Sequence, residues 1–166
     1  MPHTAVTLED LLADFHETTA RWKAFFHAHP AAAEVPTDIA RSTNVAGLVW
    51  HIYGVAYRHS ERLLGLPVTD LDAAYPAKDL ATAWKFYEKA SENLARFLAE
   101  TNDAALNRVF SFPTRTAGEI TGSYRKLCLH VFVHTIRHWA QIGPLVRQHG
   151  YLPEFGQDIF FSQSIR

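Results

Sequence analysis

A single cysteine, Cys128, stands in 166 residues, so an internal disulfide is excluded and a reducing compartment fits. Charge of one sign is also missing: 16 Lys and Arg face 17 Asp and Glu, a net of −1. The two signs are mixed along the chain, and a nucleic-acid surface normally shows as a basic excess, so no nucleic-acid partner is expected. No run approaches the ~18 apolar residues of a membrane-crossing helix. The opening MPHTAVTLEDLL lacks the basic region and apolar core of a signal peptide. There is no internal repeat, low-complexity segment or interdomain linker. These absences predict a cytoplasmic protein with neither membrane nor nucleic acid as partner.

What is present is apolar and helical. Apolar residues make up 48% of the chain and charged ones 20%, which is globular composition, and the length suits one domain spanning residues 1–166. From Thr7 to about His29, Leu8, Leu11, Leu12, Phe15, Trp22, Phe25 and Phe26 recur at helical spacing. Thr7 and Asp10 form a capping pair, and Pro30 stops the helix. A second helix starts near Ser42 or Thr43 and ends before Gly65 and Pro67, with Val45, Leu48, Val49, Ile52, Ala56 and Leu63 as its face. Gly47 and Gly54 inside it point to close approach of a neighbouring backbone. The third helix runs from about Lys78 to Glu100, and Lys85, Glu88, Lys89, Glu92 and Arg96 give it a solvated face. Arg108 to Phe112 alternates like a short extended piece ahead of Pro113.

The longest helix is read from Thr116 to Gly150, opened by Thr116 with Glu119 as a capping box and closed by Gly150 and Pro153. With Leu127 at zero on a wheel of ~100° per residue, Ile120, Val131, Ile142 and Leu145 fall within roughly 60° of it. His134 and His138 fall at about −20° and +20°, inside that stripe, and His130 near −60° beside Gln141 and Gln148. Cys128 lies about 100° away, a half-buried packing residue rather than a nucleophile. Two imidazoles at i, i+4 can converge on one cation, or can be core histidines satisfied by hydrogen bonds. In helix two, His51 sits beside Leu48 and Ile52 and is the better third ligand; His59 reads as a satisfied core histidine. Four helices with connections of a dozen residues or so predict an all-α four-helix bundle. The tail, with Tyr151, Phe155, Phe160 and Phe161, is expected to pack on the bundle or at a dimer contact.

Helix two, LVWHIYGVAYRHSERLLG, and helix four, HVFVHTIRHWAQIGPLVRQHGY, resemble the two signature helices of the DinB/YfiT-like superfamily of metal-binding four-helix bundles. That resemblance implies a divalent metal, nickel or zinc, held by His51, His134 and His138. The family's common form is HxxxHRGQ; here Trp139-Ala140 replaces Arg-Gly before Gln141, which leaves the ligand positions intact. It further implies a homodimer and a metal-dependent transferase or isomerase acting with a low-molecular-weight thiol. Open three-histidine ligation also allows hydrolysis by a metal hydroxide, and a non-enzymatic metal-binding stress-response module is the competing class. A metal-free helical dimer is a third possibility. His130, His59, Tyr53 and Gln141 are the candidate supporting groups around the ligands, and no general base is evident.

Overall fold

The computed structural model describes residues 5–114 and 117–165. The chain is mostly helical, with one small two-stranded sheet. Four helices are long: α1 (Leu8–Ala28), α2 (Val45–Leu63), α4 (Leu80–Glu100) and α6 (Tyr124–Gln148). Two are single turns, α3 (Leu71–Ala74) and α5 (Asp103–Leu106).

Helix starts follow side-chain chemistry. At α1 the Asp10 amide donates to Thr7 Oγ1 at 3.0 Å and the Thr7 amide donates to Asp10 Oδ2 at 2.9 Å, the reciprocal box read from the sequence. Asn44, one residue beyond the expected start, caps α2 by accepting from the Gly47 amide at 2.9 Å. Asp79 does the same for α4, and Ser123 for α6.

That last cap corrects the expected start of the longest helix. Thr116 lies outside the described residues, and Glu119–Ser123 is not helical but strand β2, paired antiparallel with β1 (Val109–Pro113). The cause is local. Thr121 and Ser111 face each other and share a hydroxyl hydrogen bond of 2.6 Å, and Phe112 opposes the β-branched Ile120. Phe110 then stacks on Tyr124, ring centroids 4.4 Å apart, and ties the hairpin to the first turn of α6.

The core lies between the long helices. α2 packs against both α4 and α6, and α1 against the same two, so α2 is the most enclosed; Val45, Leu48, Val49, Ile52 and Tyr53 are fully buried. Gly54 faces side chains rather than a backbone: a Cβ there would come within 2.9 Å of Leu71 Cδ1. Trp22 and Trp139 stack face to face at 4.6 Å and 10°, joining α1 to α6.

The buried side of α6 is Leu127, Cys128, Val131, Phe132, Thr135, Trp139, Ile142, Gly143 and Val146. On the wheel used above its centre falls near +90°, not at Leu127. Ile120 therefore contributes nothing to it, Cys128 is fully buried rather than half-buried, and His134 and His138 move from the middle of the stripe to its edge. A wheel aligned on aliphatic residues alone leaves out Phe132, Thr135 and Trp139, which also face the core. An aromatic ring and a threonine whose hydroxyl is satisfied by the Val131 carbonyl at 2.9 Å are equally at home inside.

The tail folds back on α1. Phe155 packs edge-on against Trp22 at 5.3 Å. Arg21 donates to the Gly156 and Phe161 carbonyls, and Glu17 accepts from Ser162, the Gln163 amide and Ser164. No described helix is long and apolar enough to cross a membrane.

Candidate metal centre

Because His134 and His138 lie at the edge of the buried face of α6, their rings reach sideways towards α2. His51 meets them from that helix. Its Nε2 lies 3.2 Å from His134 Nε2, and His138 Nε2 lies 3.2 Å from the same atom. Ligand nitrogens of all three fall within 4.8 Å of one another. Two nitrogens bound tetrahedrally to one zinc at ~2.0–2.1 Å stand roughly 3.3 Å apart, so this spacing fits a shared ion.

Hydrogen bonds within the trio cannot account for it. His138 Nδ1 pairs with Gln141 Oε1 at 2.7 Å, which assigns the proton to Nδ1 and leaves a lone pair on Nε2. His134 Nε2 then either carries a hydrogen, and faces His51 without a lone pair, or carries a lone pair and faces that of His138. One contact is always unsatisfied among these atoms, whereas a cation takes all three lone pairs. His134 Nδ1 is buried and has no hydrogen-bond partner among the described residues.

The electrostatics favour the neutral, ligating form. Burial, followed by the charges of His138, Arg58 and Lys78, pushes His51 down to about 4. Burial and the four neighbouring histidines push His134 down to about 2. His138 is also lowered, by burial first, while its bond to Gln141 acts the other way. Three imidazoles without a carboxylate suit zinc, nickel, copper or iron and leave coordination positions open.

The supporting groups read from the sequence divide. Gln141 holds His138 as a ligand's outer nitrogen needs. His130 flanks His134, ring centroids 5.4 Å apart, and His59 sits edge-on to His130 at 5.2 Å. Five histidine rings thus form a row between α2 and α6. His59 is half-buried, with Arg62 Nη1 3.4 Å from its Nδ1 and its ring between those of His130 and Phe112; burial, followed by the charges of His130, Arg62 and Arg58, lowers it to about 3. Tyr53 is misassigned altogether. Its hydroxyl bonds Thr19 at 2.7 Å, and its ring packs against Trp84 and Tyr87. It sits in the α1–α4 core, because it follows His51 by two residues and so projects away from it.

Cys128 is fully buried, and burial pushes its thiol up to about 12, so it supplies no nucleophile. The residues missed from sequence are Lys126 and Arg137, which line a groove of about 470 Å³ beside His134 and His138. Their i+3 and i+4 spacing to the histidines was the signal available.

No curated protein matches this sequence. The family comparison does: the DinB family matches residues 3–161. A helical chain that brings His51, His134 and His138 together across its second and last long helices, and that this family matches over nearly its whole length, belongs to the DinB family.

Proposed function

We propose that His51, His134 and His138 hold one divalent metal ion, nickel or zinc, in a four-helix bundle, and that the protein is an enzyme transferring a low-molecular-weight thiol to an electrophile. The observation that carries this reading is the convergence of three Nε2 atoms that cannot all hydrogen-bond to one another. A divalent ion bound there would act as a Lewis acid, able to hold a thiol as its thiolate or to lower the pKa of a water. The chain's own part is to keep three imidazoles neutral by burial, to fix the His138 ring through Gln141, and to leave the groove side of His134 and His138 open to a substrate. The absence of any carboxylate from the groove lining favours a thiolate over its thiol, since nearby cations stabilise the charged sulfur. Exposed Phe160 and Phe161 on the tail are the surface we assign to a homodimer.

Elemental analysis of protein purified without a nickel column or chelator tests the site. About one equivalent of metal per chain is expected, lost in both His51→Ala and His138→Ala. No metal after adding back zinc or nickel overturns it. Activity is tested with the loaded protein by following loss of free thiol in the presence of electrophiles. His134→Ala should abolish turnover while much of the fold survives. A large fall in melting temperature without any turnover to lose favours the second reading, a non-enzymatic module in which the ion joins α2 to α6.

A further inference from the structure

The groove beside the histidines runs along the outer side of α6, about 470 Å³ in volume, and it holds two kinds of residue besides the rings. Leu129 and Val133 give it an apolar floor, 39% and 47% exposed. Lys126 and Arg137 give it two cations, and no Asp or Glu lines it.

The wider surroundings carry the same sign. The charged groups that act on the five histidines, apart from the rings themselves, are Arg58 and Lys78 on His51, Arg58 and Arg62 on His59, and Arg137 on His130 and His138. Several of these are already engaged. Lys78 pairs with Asp72 at 3.1 Å and lies over Trp50, and Arg62 lies over Phe112. Lys126 and Arg137 form no ion pair among the described residues. Two cations thus stand next to a histidine set of zero charge with no carboxylate among the described residues that line the groove, and a divalent ion would add two further positive charges.

We infer that this groove is the binding site of a small organic oxyanion, with Arg137 taking the charged group beside the reacting end at His134 and His138, Leu129 and Val133 taking a short apolar part, and Lys126, eleven residues or ~16 Å further along α6, adding positive field from the far end. The inference rests on the metal reading for the reacting end only; the anion is recognised by the side chains of α6 themselves. Arg137 follows His134 by three residues and precedes His138 by one, so its fork is close enough for one molecule of a few carbons to span both. Carboxylate and phosphate share the required chemistry: both accept paired hydrogen bonds from a guanidinium. Lys126 and Arg137 are therefore specificity-determining residues rather than groups that react.

The test uses the full chain, without metal and after loading with zinc, titrated with succinate, with inorganic phosphate and with uncharged succinamide. Binding is read by calorimetry and by chemical shifts of the Leu129 and Val133 methyl groups. Succinate should bind at least about tenfold more tightly than succinamide, a difference of ~1.4 kcal/mol. That preference should weaken with salt and disappear in the Lys126→Gln/Arg137→Gln double variant, whose exposed positions leave the fold intact. Displacement of succinate by phosphate identifies a general oxyanion site, and no displacement identifies a carboxylate site; both sustain the inference. Equal binding of succinate and succinamide overturns it, as does an unchanged preference in the double variant. Zinc content measured on the same samples separates the two readings. A chain that takes no zinc yet prefers succinate loses the metal but keeps the anion site. A chain that takes zinc and does not discriminate keeps the metal and loses the anion site.

Discussion

At the scale of single residues, the histidines decide how the protein responds to pH. His51 and His134 titrate near 4 and near 2 in the folded chain, against an ordinary value of 6.5. Between 6.5 and 4 the unfolded state binds protons that the folded state refuses, so stability is full above 6.5 and is lost as pH falls through that window. Each ring can cost at most about 1.4 kcal/mol per pH unit there. Metal-free protein followed by thermal melts should therefore lose melting temperature steadily from pH 6.5 to pH 4, and His134→Ala should flatten that slope. A slope unchanged in the variant would mean that His134 is not held neutral by burial. Cys128 gives a second check. With its thiol buried and pushed up to about 12, it should resist thiol reagents at pH 8 and react at once in denaturant. Rapid modification of the native chain would contradict its place in the core.

Among elements, α6 shows how much of the site was readable. The shared face of His134 and His138 follows from sequence because a helix repeats every 3.6 residues whatever it packs against; His51 as their partner comes from its place beside Leu48 and Ile52 together with the resemblance of both helices to the family's signature helices. The direction in which the helix buries itself does not follow. That depended on Trp139, whose ring stacks on Trp22 of α1, a contact between residues 117 positions apart that no local pattern announces. Trp139 also explains the departure from the family's common HxxxHRGQ: at this position the chain has a core anchor where that form has an arginine. Trp139→Ala should cost about 3–5 kcal/mol, seen as a melting temperature lower by roughly 10 °C. Metal content should fall less than in His138→Ala, since His51, His134 and His138 are untouched. The hairpin was half legible for a related reason. The alternation around Phe110 and Phe112 marks β1, but Thr116 and Glu119, three residues apart, imitate a cap and draw β2 into the expected helix. Pairing with β1 settled which of two local readings prevailed.

For the whole molecule, the tail is the least legible part and the one most dependent on tertiary contacts. Its aromatic content predicted packing, and Phe155 does pack on Trp22. Its other anchors are polar. Glu17 alone accepts from Ser162, Gln163 and Ser164, and Arg21, itself paired with Glu17, reaches two tail carbonyls. Burial opposes the charge on Glu17, but the bonds from Ser164 and Gln163 and the Arg21 guanidinium outweigh it and hold its carboxyl below the usual range. On α6, Gln157 lies where a side chain on Gly143 would stand: a Cβ there would collide with the Gln157 amide. Arg21→Ala should therefore release the tail without unfolding the helices. Chymotrypsin should then cut at Phe160 and Phe161 several times faster than in the wild type, while the melting temperature shifts by a few degrees at most. Equal cleavage rates would show that the apolar contacts of Phe155 hold the tail unaided.

The parallel indoles of Trp22 and Trp139 have an optical consequence. Two identical chromophores 4.6 Å apart in nearly parallel planes cannot absorb independently. Their excited states mix and split, and any skew between the two transition moments turns that splitting into a signed pair of circular-dichroism bands. One partner belongs to the helix that carries the tail's anchors, and the other is the immediate neighbour of His138. The protein thus carries a built-in reporter that can be watched without a label. It registers whether the first and last long helices are in register while either the tail or the histidine cluster is perturbed.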